Sequence, residues 1–285
     1  MAGKPRPRAG PNQTPIRESM RRIRLLLLPC LSGLLLATSA LAESLTLGNG
    51  EWPPYFSASL PGQGSFSRIV EEALTQEGMR VKYVFQPWKR SLELTRAGEL
   101  DGSMGWLDTP ERQRAFIVSV PILNTEWVVF HRAGHPVNAT TDPDTLAKLR
   151  WGATLGYDYG EQLNSLFRRR GVHVEYTPRD EQNLAKLATG RIDAFAMERE
   201  VGLMMLAQSP YRRAIDYDAT PVFSRPLHVM FSRSRPDSYE WAAKLARGIE
   251  KLRANGRLAR IIEEGRNPMR SAEQTMPPAQ PSPRR

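Results

Sequence analysis

Two stretches of this chain follow one pattern: LELTRAGELDG from Leu92 and LAKLATGRIDA from Leu184. In each, glycine follows the leucine by six positions, an aliphatic by eight, aspartate by nine and a small residue by ten. Such a unit reads as a helix stopped by glycine at its C-terminus, then a tight turn into a strand. One copy in each half is no solenoid repeat and points instead to two α/β lobes built alike.

The rest of the chain fits that plan. SLTLGNG (44–50) reads as a strand, and Phe66, Ile69, Val70, Ala73 and Leu74 mark one face of a helix. VKYVFQP (81–87) alternates as a strand does. The second half repeats the order with RWGATLG (150–156), a helix over Leu163, Leu166 and Phe167, and VHVEYTP (172–178). Strands alternating with helices predict mostly parallel sheets. PLHVMFSR (226–233) then reads as a strand, and Trp241, Leu245, Ile249 and Leu252 as a helix stopped at Asn255-Gly256. A short helix through Leu258, Ile261 and Ile262 follows, and this last part is expected to pack back on the first lobe.

The net charge of +10 would suggest a polyanionic partner, but it lies at the chain ends. Residues 1–42 carry seven Lys/Arg against one Glu and residues 266–285 four Arg against one Glu, which leaves 29 basic against 28 acidic residues between them. That near-neutral middle argues against nucleic acid as a partner. From Met20, MRRIRLLLLPCLSGLLLATSALAES has a basic start, an apolar run and small residues at Ala40 and Ala42, the layout of a secretory signal peptide cleaved after Ala42. Residues 1–19 read as an extended leading region or as chain preceding the true start. The one cysteine, Cys30, leaves with the signal, so no disulfide or Cys-based metal site is expected in the mature chain. The four histidines lie away from the motifs, and no metal or cofactor is expected. A soluble periplasmic monomer is the expectation, with residues 266–285, Pro-rich and without apolar periodicity, a disordered tail.

In open α/β sheets ligands collect beyond the carboxyl ends of the strands, and with two lobes the pocket lies between them. Five residues after the repeat's aspartates stand Trp106 and Glu198, which equivalent lobes would bring to one cleft from opposite walls. Lobe core is an equally open place for Trp106, and an ion pair with Arg199 for Glu198. Arg112 follows Thr109-Pro110-Glu111, a helix-start signature, and a guanidinium beside exposed helix N–H groups suits a carboxylate. Pairing of Arg112 and Arg114 with Asp108 and Glu111 is the competing reading.

EWPPYF, GELDGSMGW leading to TPERQRAF, GATLGYDYG, GRIDAFAME and ANGRLARIIEEG together make the chain from about Ser44 to Gly265 resemble the bacterial extracellular solute-binding proteins of family 3, periplasmic receptors for polar amino acids. The resemblance implies an α/β, two-lobed periplasmic binding protein-like fold of type II, each lobe a mostly parallel sheet flanked by helices. Lobe 1 is then 43–124 plus 220–265 and lobe 2 is 125–219, with crossings near Leu123 to Glu126 and Tyr217 to Pro221. It also implies that Arg112 holds a ligand carboxylate, that Glu198 receives an α-ammonium, that Trp52 stacks on the ligand and Trp88 forms a wall, and that Gly156, Tyr157 and Asp158 close from the second lobe.

Departures from the family pattern bear on selectivity. Gly105, Trp106 and Leu107 stand where hydroxyl side chains usually precede the arginine. Trp52, Trp88 and Trp106 would line a cleft favouring an aromatic, cationic or bulky ligand. The expected function is capture of a small zwitterion by hinge closure and its delivery to a membrane ABC permease. Two rivals stand beside it: a dehydratase-like enzyme on the same scaffold, using Glu198, Asp158 or Glu51 as acid or base, and a sensing module for a separate signalling partner.

Overall fold

The computed structural model describes Met1, Gly3, residues 43–138 and residues 142–274, with side chains as far as Arg266. The signal-peptide reading and Cys30 lie outside the described residues. The chain first forms β1 (Ser44–Asn49), α1 (Ser65–Thr75), β2 (Arg80–Phe85), α2 (Trp88–Ala97), β3 (Gly102–Trp106), α3 (Pro110–Ala115) and β4 (Phe116–Val118). The long strand β5 (Leu123–Arg132) leads to α4 (Pro143–Leu146), β6 (Arg150–Thr154), α5 (Gly160–Arg168), β7 (His173–Thr177), α6 (Asp180–Ala188), β8 (Ala194–Glu198), α7 (Arg199–Ala207) and β9 (Ile215–Tyr217). A second long strand, β10 (Phe223–Ser232), returns the chain to α8 (Ser238–Ala254) and α9 (Arg257–Gln274).

Strand order is β2-β1-β3-β10-β5-β8-β6-β7. β2, β1 and β3 are parallel with β10 antiparallel beside β3, and β7, β6 and β8 are parallel with β5 antiparallel beside β8. Each half is thus three parallel strands plus one reversed strand supplied by a long crossing segment, with a short strand off this path, β4 beside β10 and β9 beside β5, a mixed α/β fold with helices packed on the sheets. The two reversed strands also pair with each other, Arg225 opposite Thr125 and Phe223 opposite Trp127.

The repeated sequence unit explains why the halves match. Gly98 and Gly190 take left-handed backbone (φ 80° and 71°) at the ends of α2 and α6, where a side chain would be strained. The aspartate three residues on then ties the turn to the start of the central strand. Asp101 accepts the Thr46 N–H of β1 at 2.8 Å, and Asp193 accepts the Arg150 N–H of β6 at 3.0 Å. Each carboxylate also faces an arginine, Arg235 for Asp101 and Arg150 for Asp193.

The cores follow the expected faces. Ile69, Val70, Ala73 and Leu74 of α1 and Leu245, Ile249 and Leu252 of α8 are fully buried with Leu45 and Leu47 of β1. Gly248 allows the two helices to touch, because a Cβ there would stand 2.1 Å from the Ala73 carbonyl oxygen. Trp151, Ala153, Tyr159, Leu163 and Ala196 make a second core between β6 and α5.

Two expectations need correction. The sequence puts the second crossing near Tyr217 to Pro221, yet Tyr217 still pairs with Phe130 of β5 and Phe223 still stacks on Trp127. The chain changes sheets inside β10, between Leu227 and His228 and next to an irregularity at His228/Val229, because β10 is long enough to pair with β5 at one end and with β3 and β4 at the other. Of residues 266–285, expected from sequence to be a disordered tail, α9 includes those as far as Gln274, and 275–285 lie outside the described residues. The first half of α9 is anchored by buried Ile261 and by the Arg266–Glu200 ion pair (2.9 Å), and good helix formers follow Pro268. Among the described residues no helix is long and apolar enough to cross a membrane, and no cluster of His, Cys, Asp or Glu is arranged to hold a metal ion.

Candidate functional site

A cavity of about 310 Å³ opens where the strand ends of the two halves face each other over the β5–β10 pair. One wall comes from the first half. Trp52 follows β1, Trp88 begins α2, Gly105 and Trp106 end β3, Leu107 comes next, and Arg112 lies in α3. The other wall is the loop of Gly156, Tyr157 and Asp158 between β6 and α5. Thr125 and Trp127 of β5 with Arg225 and Leu227 of β10 form the floor.

Backbone shape admits the aromatic wall. A Cβ at Gly50 would lie 2.3 Å from the Trp88 indole, so glycine lets that ring lie against the end of β1. Trp88 then meets Trp106 edge to face, with centroids 5.9 Å apart and planes at 90°, a favourable arrangement for two rings. Trp106 is fixed by its indole N–H, which donates to Ser103 Oγ at 2.8 Å.

Arg112 is positioned by α3 as its sequence predicts. Thr109 caps the helix, its hydroxyl oxygen accepting the Arg112 N–H at 3.3 Å, with Pro110 in the first turn. The guanidinium donates to the Leu107 carbonyl at 2.8 Å and lies 4.8 Å from the Trp106 ring centroid, a cation–π contact. Burial takes the charge partly out of water and lowers its pKa, against the opposing pull of Glu111 and Asp158. Asp108 is engaged elsewhere, accepting the Gln113 side-chain amide at 2.9 Å. Among the described residues neither Asp108 nor Glu111 is hydrogen-bonded or ion-paired to Arg112, whose side chain borders the cavity.

The second wall is held by its own network. The Tyr157 hydroxyl donates to Asp180 at 2.8 Å, and Thr154 donates to the other oxygen of that carboxylate at 2.5 Å. Burial pushes the Tyr157 phenol far above its ordinary range, with Asp180 adding to the effect, so it keeps its proton at neutral pH. Asp158 accepts Arg225 at 2.6 Å, the Gly160 N–H at 3.0 Å and the Asn164 amide at 2.6 Å. Partial burial works against the charge, but these partners hold the carboxyl below its usual range.

Of the residues expected from sequence, Trp52, Trp88, Gly105, Trp106, Leu107, Arg112, Gly156, Tyr157 and Asp158 line this one cavity. Glu198 does not. It is 1 % exposed and caps α7, one oxygen accepting the Val201 N–H at 2.9 Å and the other the Tyr55 hydroxyl at 2.9 Å. The repeat placed it correctly at a strand end, but the helix that follows β8 claims the carboxylate. Thr125, Trp127, Arg225 and Leu227 were not anticipated. Their sequence signal is faint: two pairs spaced by two residues, each on one face of a strand.

Solved structures share this fold at low sequence identity. An amino acid ABC transporter substrate-binding protein, AbpA from Streptococcus pneumoniae, bound to L-arginine, matches with 18% identity and a TM-score of 0.62, covering 79% of this chain and 95% of that one. A histidine kinase sensor domain with similarity to periplasmic binding proteins matches with 18% identity and a TM-score of 0.61, over 78% and 95%. The ancestral amino acid-binding protein AncCDT-1, a precursor of cyclohexadienyl dehydratase, matches with 16% identity and a TM-score of 0.59, over 78% and 94%. No curated protein matches the sequence. The family of bacterial extracellular solute-binding proteins, family 3, matches residues 48–264, most of the chain, and this protein belongs to that family.

Proposed function

We propose that this protein is a solute receptor that captures a small carboxylate-bearing molecule, an amino acid or a related compound, and delivers it to a membrane ABC permease. The observation that carries the reading is the convergence of Arg112 with Trp52, Trp88 and Trp106 from one half and Tyr157 and Asp158 from the other on a single cavity. Its volume of about 310 Å³ is at the small end of ligand pockets and suits a metabolite rather than a polymer. The family's extracellular setting agrees with a signal-led export to the periplasm.

Capture works by hinge closure. The two strands β5 and β10 are the connections between the halves, so the hinge lies near Leu123 to Thr125 and near Leu227 to Val229. A ligand held at once by Arg112 and by the Tyr157–Asp158 loop stabilises the closed arrangement over the open one, and the closed form is what a permease recognises. No bond need be made or broken. Asp158 is ion-paired, Tyr157 keeps its proton, Glu198 is sequestered, and Glu51 accepts the Ala58 N–H and does not line the cavity, so among the described residues none of these is a free base beside a bound solute.

A thermal-shift screen of small carboxylates, amino acids and amines tests the reading, since ligand at 100 times its Kd adds about 2.7 kcal/mol of stability. A stabilising carboxylate recovered chemically intact by mass spectrometry supports capture. Its conversion to a new product would assign the chain to the enzymes instead.

A further inference from the structure

We infer that the solute is an anion without an α-ammonium group: a small carboxylate carrying an aromatic or similarly broad apolar body. The inference deepens the proposed function and rests on the Arg112 cavity being the capture site.

The charges of the cavity are unbalanced. Two arginines, Arg112 and Arg225, line it against one aspartate, Asp158, an excess of one positive charge. An amino acid zwitterion needs an anionic acceptor for its ammonium, because a buried cation with no partner loses its hydration uncompensated. Asp158 already balances Arg225: one oxygen accepts Arg225 and the other accepts the Gly160 N–H and the Asn164 amide, so an ammonium there would have to share a charge that Arg225 has matched. Glu198, the carboxylate that the repeat directs toward this cleft, serves α7 and Tyr55 and does not line the cavity. Asp180 lies behind Tyr157 with both oxygens occupied. The acceptors that remain are uncharged.

Aromatic faces are the other receptors for a cation. Here the face of Trp106 is taken by Arg112 at 4.8 Å, Trp127 stacks on Phe223 with centroids 5.4 Å apart and planes at 18°, and Trp52 and Trp88 share their wall with the Arg112 charge, which repels a second cation. An incoming ammonium would meet an arginine at the first and find one side of the second closed. The Arg112 guanidinium, by contrast, spends one N–H on the Leu107 carbonyl and keeps its others for a carboxylate. Indole surfaces on the same wall then cover an apolar body.

Calorimetry on the full chain with matched pairs tests this: L-tryptophan against indole-3-propionate, L-phenylalanine against 3-phenylpropionate, and L-leucine against 4-methylpentanoate, with tryptamine and phenethylamine as the amine arm. The expected result is that the carboxylates bind at least ~10-fold more tightly than their amino acids, about 1.4 kcal/mol, and that the amines do not bind. An amino acid that binds as tightly as its partner, with binding lost in Arg112→Met, overturns this inference and leaves the capture site standing. Binding that survives Arg112→Met, or none by any member of the panel, overturns the capture-site reading itself.

Discussion

The Tyr55 hydroxyl donates a 2.9 Å hydrogen bond to Oε1 of Glu198, joining the loop after β1 in the first half to the end of β8 in the second. Both groups are buried. The second oxygen of Glu198 accepts the Val201 N–H of α7, and the Glu126 N–H approaches the first at 3.4 Å. The carboxylate is therefore a fastening between halves and a helix cap at once, and it does not line the cavity.

That placement makes stability depend on pH. Burial raises the Glu198 carboxyl to about 7 from 4.5, in spite of its three donors. Between those values the folded chain holds a proton that the unfolded chain has released, so this group's contribution falls as pH rises through the window and the loss is complete above about 7. The loss is on the order of 3 kcal/mol for a shift of this size. Glu198→Gln removes the titration. Urea unfolding at pH 5 and pH 8 is expected to show the unmodified protein losing stability relative to the variant as pH rises. A constant difference between the two proteins would mean that Glu198 titrates normally.

Arg112→Met is expected to weaken carboxylate binding by about 2 to 5 kcal/mol, the range for leaving one member of a buried charged pair unmatched. Arg112→Lys should not restore it, because an ammonium cannot hold the Leu107 carbonyl and a carboxylate in the same planar fork. Titration calorimetry of both variants decides this. Melting temperatures without ligand should stay near the parent value, since α3 has no buried residue of its own.

The repeat predicts β3 and β8 and the glycine stops of the helices before them, because these are set by chain-local geometry; that its aspartates tie each turn to a central strand about fifty residues away is not written in the local pattern. A separate local signal, the Thr109-Pro110-Glu111 helix start, puts Arg112 in the first turn of α3. Trp127 and Arg225 escaped notice because their meeting depends on the pairing of two strands about a hundred residues apart, which local periodicity does not encode. Equivalent strand ends here serve different neighbours, which is why Glu198 is not among the residues lining the cavity. β3 is followed by a loop that frees Trp106, whereas β8 runs directly into α7, whose exposed N–H groups need an acceptor.

Trp106 separates the electrostatic from the apolar share of binding. Trp106→Leu keeps an apolar wall but removes the ring 4.8 Å from Arg112. The expected cost to carboxylate affinity is about 0.5 to 2 kcal/mol, the range of a cation–π contact from exposed to desolvated, and thus smaller than for Arg112→Met. Closure should also alter indole emission, because Trp52, Trp88, Trp106 and Trp127 all border the cavity. Ligand that leaves the emission spectrum unchanged would place binding elsewhere.

Two glycines allow the fit of the first wall to be measured against backbone strain alone. Gly105 and Gly156 both line the cavity with left-handed backbone, φ 79° and 84°. A Cβ on Gly156 meets nothing within 4 Å, so Gly156→Ala carries only the conformational strain, about 1 to 2 kcal/mol. A Cβ on Gly105 would lie 2.8 Å from the Phe56 ring and 3.3 Å from Trp88, and Phe56 is fully buried against Phe66. The ring cannot retreat without disturbing the core, which adds about 1 to 3 kcal/mol for overpacking. Urea unfolding is expected to rank Gly105→Ala below Gly156→Ala, and calorimetry to show weaker ligand binding by Gly105→Ala as Trp88 is pushed from its place. Equal stabilities would mean that the contact between Phe56 and the end of β3 is looser than the geometry describes.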